Sequence, residues 1–392
     1  MTTGLLAVFG IWVVLIGIVE WARRRYPILE SINGSEPPVS RVSIVLAARN
    51  EALVIRQTLL KLQLIGPVVS QIIVVNDRST DATDTEIAGV PDPTGRLSQV
   101  RVDTLPQGWL GKQYALWQGA RLASGDWIVF LDADSRLSPL AIEKALHYAQ
   151  SVHLDYLSVI PNLSIQGPVA RAFLGFFGFV MAMSLRLVLT NLRSRRWTGI
   201  GIGAFQMVRR DLYFAIGGHW GIRQCATDDV ALANRFKRLG LATGLILAGP
   251  AVVVPWYQSL YDVIHGFEKN FYSLVHYRKS AVLGVIGLFF MLFLLPDVGL
   301  FLLRGPWWLL DMLTIIIVWG EYWRISQQAL NMGVLAPSLF FLMPILFLFL
   351  MIRSACRTEN QQGILWRDTF YPLSMLRGQC QEPIESVKGA KP

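Results

Sequence analysis

Three regimes of apolar and polar residues follow one another along the chain. Residues 4–19 form an uncharged apolar run, followed by Glu20, Trp21 and then Arg23, Arg24 and Arg25. A cleaved secretory signal carries its positive charge ahead of the apolar core. Here the charge comes after it, which predicts a retained membrane helix over residues 1–25 with its C-terminal end in the cytoplasm. At about 1.5 Å per residue the run is slightly short for a bilayer, and Trp12 and Trp21 are placed to seat it at the interfaces.

Between residues 41 and 165 the pattern changes to short, β-branched apolar runs at 41–47, 71–75, 127–131 and 156–160. Helix-compatible stretches such as 51–64 and 112–123 separate the early ones. Strands alternating with helices predict an α/β architecture with a largely parallel sheet. Near-continuous apolar strands predict that both faces of this sheet are covered. A domain over residues 38–270 follows. Within it, residues 172–189 are apolar but contain Ser184 and Arg186, with Arg193, Arg195 and Arg196 close behind. Candidate chemistry on both sides of this segment must share one compartment, so a helix over 171–190 is expected to lie on the membrane surface rather than cross it.

From residue 281 the chain turns apolar again, in runs at 281–303, 307–319 and 335–352. These predict membrane helices within 278–353. Three crossings would leave the tail outside, yet Arg353, Arg357, Arg367 and Arg377 favour the inside. The Pro296-Asp297 interruption offers a hairpin or re-entrant piece that would restore the parity. The tail, residues 354–392, is therefore expected to be cytoplasmic with an amphipathic interfacial segment.

Composition supports this division. Of 392 residues, 53% are hydrophobic and 16% charged, against roughly a quarter charged in soluble proteins. The net charge of +9 suits nucleic-acid binding in general. Here the arginine clusters adjoin apolar runs, so the charge is read as positive-inside flanks, with the bilayer as partner and no nucleic acid. Cys225, Cys356 and Cys380 lack the spacing of a metal site or a disulfide framework.

Ligands of a parallel α/β sheet collect at the carboxyl ends of its strands. The first strand ends at Ala47, Ala48, Arg49, Asn50 and Glu51, the second at Asn76 through Asp81, and the third at Asp132-Ala133-Asp134. Alternate residues of an extended chain point the same way. Asp132 and Asp134 would therefore repel unless a cation such as Mg²⁺ or Mn²⁺ sat between them and a substrate phosphate. In isolation the pair is a weak signal, and a capped turn into Ser138-Pro139-Leu140 accounts for it. Asp77 suits hydrogen bonding to a base or ribose, or a simple turn. Gly108 to Lys112 opens a helical stretch and makes an anion site or a loop. Thr227 precedes Asp228 and Asp229, which either sit in a capped first turn or place a general base at the site.

Together these segments resemble the family 2 glycosyltransferases with a GT-A fold. The likeness runs from about residue 41 to 248. It rests on Ser43-Ile-Val-Leu-Ala-Ala-Arg-Asn-Glu51, Val75-Asn-Asp-Arg-Ser-Thr-Asp81, Asp132-Ala-Asp134, Gly217-Gly218 and Asp228-Asp229-Val-Ala-Leu232. The resemblance implies a Rossmann-like mixed sheet and a UDP- or GDP-linked sugar donor. It implies donor contacts from Ala47, Arg49, Glu51, Asp77, Lys112 and Asp132, a Mn²⁺ or Mg²⁺ on Asp134 with Asp132, and catalysis by Asp229 with Asp228. Position 78 is Arg where the family often has Gly, and 228 is Asp where Glu is common. The Gln-x-x-Arg-Trp motif of processive synthases is absent. A narrower likeness, in Leu105-Pro-Gln-Gly-Trp-Leu-Gly-Lys112 and the tail segment Gly363 to Pro372, is to membrane glycosyltransferases of carotenoid and hopanoid pathways. It implies a lipid-like acceptor hydroxyl, such as the 2'-hydroxyl of a myxol-type carotenoid, with Trp197, Thr198, Gly199 and Trp366 lining its path. The alternatives are transfer to a polyprenyl phosphate, with the arginines at 193–196 holding the phosphate, and a catalytically silent membrane scaffold.

Overall fold

A computed structural model describes residues 2–33, 40–184, 189–192, 198–257, 259–330, 335–366 and 369–378. The chain divides into two compact units. One is α/β, built from Tyr26–Asn162 and Leu189–Pro255; the other is helical, built from Met1–Arg25, Leu163–Val188 and Trp256–Arg377.

The α/β unit is organised by β1 (Val42–Ala48), β2 (Val69–Asp77), β3 (Leu97–Val102) and β4 (Trp127–Asp132). After these come β5 (Arg136–Leu137), β6 (Tyr156–Ile160) and, at the unit boundary, β7 (Asn162–Ser164). The last are β8 (Gln206–Arg209), β9 (Thr243–Leu247) and β10 (Val252–Pro255). The main sheet runs β3-β2-β1-β4-β8-β6-β9. β8 is antiparallel to both its neighbours, and the remaining pairs are parallel. The sheet is thus mixed, as the GT-A likeness implied. The apolar runs predict β1, β2, β4 and β6. They leave out β3, an edge strand with half its side chains polar, and the late strands β8 and β9.

Both faces of the sheet are covered. Ile44, Leu46, Val74 and Val129 pack with Leu59, Leu62, Ile142 and Leu146 from the helices Ile55–Gln63 and Ala141–Ser151. Val45, Ile73, Val75 and Phe130 pack with Ala115, Leu116 and Ala120 of the helix Gly111–Leu122. Gly119 lets that helix come close, since a Cβ there would stand 2.5 Å from Val45. In the register, Ala47 pairs with Val75 on one side and Asp132 on the other. One sheet edge therefore carries the ends of β1, β2 and β4 together.

In the helical unit, three helices among the described residues are long and apolar enough to cross a membrane: Thr3–Arg23, Lys279–Leu302 and Phe340–Asn360. The second passes through a π-helical turn at Phe290–Leu294 and continues as Leu295–Leu302. Pro296-Asp297 therefore does not form the hairpin or re-entrant break expected there, because the π-helical turn just before the proline shifts the backbone bonding and lets the helix continue through it. A further helix, Pro306–Leu330, has 25 residues and runs back after the bend. Its Arg324 meets Glu20 of the first helix at 3.2 Å.

The final apolar segment behaves differently from its neighbours. Trp319 Nε1 donates to the Pro337 carbonyl at 3.1 Å, and Phe340 lies 5.0 Å from Tyr322 between ring centres. Phe347 then stacks on Phe289 at 4.5 Å, and Glu359 meets Lys279 at 3.4 Å. Met343–Asn360 thus runs antiparallel to Lys279–Phe289 and finishes at its start. Residue 337 stands level with Trp319, about 20 Å along its helix from Pro306.

A second correction concerns residues 171–190. The helix observed there is Pro168–Ala182, and it groups with the helical unit rather than within a continuous 38–270 domain. Phe173, Phe176 and Phe179 are fully buried. They pack on Phe267, Phe293, Tyr322 and Phe347. Aromatic area of this size is worth more inside a helix cluster than spread on a lipid surface. These rings form a core, and do not line an acceptor path. The tail forms a hairpin of β11 (Gly363–Trp366) and β12 (Thr369–Pro372), then the helix Leu373–Gly378.

Candidate active site

The loops after β1 and β2 are tied to each other before they meet any ligand. Asn50 accepts from the Thr80 amide at 2.8 Å, Ser79 accepts from the Asn50 amide at 3.0 Å, and Thr83 accepts from the Glu51 amide at 2.8 Å. Asp81 accepts from the Ala52 amide and from Thr83. Asn and Ser in such positions satisfy backbone donors that a strand end leaves open. The lacing holds the loop that carries Arg49 and Glu51 against the loop that follows Asp77. Asp77 itself is buried and paired with Arg78, whose Nε and Nη2 donate to its two oxygens at 2.7 and 3.0 Å.

The helix Gly111–Leu122 begins against this pair, and its second residue reaches the next one. Lys112 Nζ lies 2.7 Å from Asp132 Oδ1 and 3.6 Å from Asp228 Oδ2. Asp228 and Asp229 open the helix Asp228–Arg238. Thr227 precedes it but makes no side-chain capping bond. Asp229 is instead held by the Gly203 amide on Oδ2 at 3.1 Å and the Val230 amide on Oδ1 at 2.8 Å. Asp134 stands two residues beyond Asp132, beside Gln57, Thr58, Lys61 and Arg136.

Charge is not balanced in this cluster. Burial alone would lower the Lys112 ammonium, but the charges of Asp132, Asp228 and Asp229 outweigh it and hold the group protonated. Burial raises Asp228 despite Lys112. Burial and the neighbouring Asp228 raise Asp229. Asp134 is pushed up to about 6 by burial, then by the charges of Asp132 and Glu51. Among the described residues no three carboxylate, His or Cys side chains form a ready cage for a metal. Two carboxylates one residue apart, each raising the other's cost, are nevertheless the donor set that suits a hard cation completed by phosphate oxygens. His219 is no part of this chemistry: it is buried against Phe130, bonded to Tyr213 at 2.8 Å, and pushed down to about 3 by burial.

Of the other residues singled out in the sequence, Ala47 sits at the strand end in register with Asp132. Thr198 is buried and donates to the Leu189 carbonyl at 3.2 Å. Gly199 is flush against the Ala233 backbone, where a Cβ would stand at 2.7 Å. Both are packing positions rather than lining ones. Trp197, the side chain of Trp366 and the arginines at 193, 195 and 196 lie outside the described residues. Residues 201 and 203 went unremarked in the sequence. A Cβ at Gly201 would meet the Asp229 backbone at 2.2 Å, and one at Gly203 would meet Asp132 at 3.0 Å and Lys112 at 3.2 Å. The signal was present in the alternating glycines of Gly199-Ile-Gly-Ile-Gly203, which put one side-chain-free edge of an extended segment against the carboxylates.

Residues 43–224 match the family described as glycosyl transferase family 2. The chain carries a family 2 glycosyltransferase domain. It is 25% identical over 340 residues to the 4,4'-diaponeurosporenoate glycosyltransferase of Staphylococcus aureus strain MRSA252, covering 85% of this chain and 88% of that one. To the protein of the same name in strain USA300 it is 24% identical over 339 residues, again 85% and 88% of the two chains. Among solved structures it resembles the mannosyltransferase PcManGT from Pyrobaculum calidifontis in complex with GDP-Man and Mn²⁺. That likeness has a TM-score of 0.55 at 16% identity, over 92% of this chain and 99% of the other. At this identity the likeness speaks to fold: the glycosyltransferase of this family has the GT-A architecture. The protein is a glycosyltransferase, and the reading as a silent scaffold is set aside.

Proposed function

We propose that this glycosyltransferase moves a sugar, with inversion, from a nucleoside diphosphate donor to a hydroxyl of a lipid-like acceptor at the cytoplasmic face of a membrane. The observation that carries this reading is the orientation of Asp229. Its carboxylate is half-buried and fixed by two backbone amides, and it lies in the same charged cluster as Asp132, Lys112 and Asp228. Burial and Asp228 make it more basic than an ordinary aspartate, which suits a general base. In the transfer, Asp229 takes the proton of the acceptor hydroxyl, whose oxygen bonds to the anomeric carbon. The bond from that carbon to the phosphate oxygen breaks, and the nucleoside diphosphate leaves with the electron pair. Asp134 and Asp132 would hold a divalent metal, which offsets charge on the leaving diphosphate. Lys112 is already engaged by Asp132 and Asp228, so it orients these carboxylates as well as adding positive charge.

The acceptor named for the staphylococcal relatives is by its name a carboxylate. A carboxylate acceptor would need no base and would be repelled by Asp229, so the oriented base favours a hydroxyl here. The carotenoid class of those relatives supports a long apolar acceptor, a carotenoid or hopanoid alcohol.

The helical unit supports a specific path through the bilayer. Lys279–Leu302 leads out and Pro306–Leu330 leads back. Residues 335–342 re-enter only to the level of Trp319, and Met343–Asn360 returns to the Lys279 side. Two crossings then follow the α/β segments. The arginine-rich end of the first helix and the arginine-rich tail share one side with Lys279, in keeping with the positive-inside rule. The test of the whole reading is incubation of the purified protein with a panel of nucleotide sugars and carotenoid, hopanoid or polyprenyl phosphate acceptors, with and without Mn²⁺. Mass spectrometry should find a glycosylated alcohol that depends on the metal. A product on the phosphate alone would overturn the acceptor class, and no product with any donor would overturn the reading.

A further inference from the structure

The nucleotide end of the site contains a residue whose conformation is costly and whose partners are built around it. Arg78 has φ +54°. A side chain with a Cβ enters that left-handed region at a cost, and such residues concentrate at functional positions. From there its guanidinium folds back onto the preceding residue, donating through Nε and Nη2 to both oxygens of Asp77. Gly111 closes the arrangement, because a Cβ at that position would stand 2.5 Å from both Arg78 Nη2 and Asp77 Oδ2. The Arg78 amide is tied to the Val102 carbonyl at 3.1 Å, so the backbone cannot easily relax. The Arg78 side chain keeps 18% of its surface open while that of Asp77 keeps 4%.

We propose that Arg78, oriented by Asp77, reads the nucleobase of the donor and selects guanine. The inference rests on the nucleotide-sugar reading above. With both Asp77 oxygens engaged, the more exposed side chain of this pair is one that can only donate hydrogen bonds. It recognises a base edge that offers acceptors. Guanine presents two adjacent ones, O6 and N7, which match a guanidinium in bidentate fashion, whereas adenine places an amino group beside N7. Uracil lacks such a ring-nitrogen and carbonyl pair and gains one bond at most. The adjacent residue Lys112 then leads from this base position to Asp132, the order in which base, diphosphate and sugar must lie.

The test is calorimetric titration of the full-length protein in detergent with GDP, UDP and ADP, each with Mn²⁺. Wild type should bind GDP at least about tenfold more tightly than UDP or ADP, the size of one bidentate base contact. Arg78→Lys keeps the charge beside Asp77, and so the fold, but loses the planar fork. It should weaken GDP by about the same factor and leave UDP unchanged. Preference of the wild type for UDP or ADP would overturn the inference while leaving the donor reading intact. So would an unchanged GDP-to-UDP ratio in Arg78→Lys. Failure to bind any nucleoside diphosphate would overturn both.

Discussion

The two units treat buried charge in opposite ways. In the helical unit three partly or fully buried glutamates are matched with bases. Glu20 is bound by Arg23, Arg24 and Arg324, Glu268 by Arg353 and Arg357, and Glu359 by Lys279 and Arg377. In the α/β unit, Asp132, Asp228 and Asp229 crowd around the single ammonium of Lys112, and Asp134 adds to them. A buried carboxylate without a full counter-charge costs stability. Among the described residues of the α/β unit, the excess lies where a cation and a diphosphate are proposed to bind.

That contrast can be broken by substitution. The largest effect is expected at Asp229. Asp229→Asn should lower turnover by about 10²-fold or more, the usual contribution of a general base, while nucleotide affinity stays near wild type. Wild-type turnover in that variant would remove the base from this position. Next comes Asp134→Asn, which should abolish the stabilisation that Mn²⁺ and nucleotide together give in a thermal melt. A melt that still responds in full would place the cation elsewhere. On the other side of the comparison, Glu268→Gln leaves two arginines unmatched and should cost about 2 kcal/mol of stability, discounted because those arginines are partly exposed. Nucleotide affinity should not change, and a fall in affinity without a fall in melting temperature would make the pair functional rather than structural.

The smallest effect sharpens the electrostatics. Asp229 is raised by burial and by Asp228, and it acts only when deprotonated. Activity should therefore fall on the acid side at a pH above the ordinary aspartate value of about 3.9. Asp228→Asn removes a like charge, so deprotonation becomes easier and the acid limb should move to lower pH. A limb that moves upward, or stays, would assign it to another group. One residue departs from the pattern in the helical unit: Asp311 is 1% exposed and neither of its oxygens has a hydrogen-bond partner.

Local pattern was enough for the elements that are apolar throughout. The runs at 41–47, 71–75, 127–131 and 156–160 became β1, β2, β4 and β6, because a strand buried on both faces has no polar positions to confuse its reading. The edge strand β3 escaped, since Leu97–Val102 alternates with exposed polar residues and borrows its pairing from β2. The antiparallel β8 escaped because direction is a property of its neighbours, not of Gln206–Arg209. The helix at 168–182 was seen, but not its company: an apolar helix carries no mark that distinguishes a lipid surface from a cluster of phenylalanines.

For the site, the sequence by itself determined the kinds of groups and their order: Glu51, Asp77, Asp132 and Asp134 at or after strand ends and Asp229 at a helix start. Chemistry of that sort is legible because carboxylates at the ends of apolar strands have few other reasons to recur. Tertiary structure alone decided which groups are engaged before a ligand arrives. The closure of Arg78 on Asp77, the insertion of Lys112 between Asp132 and Asp228, and the Gly203 amide on Asp229 all join residues brought together by folding or by a backbone turn. Such contacts depend on distances that a linear pattern does not contain. The same holds for the segment before Met343, whose hydropathy reads as part of a crossing and which packs back against Trp319 and Tyr322.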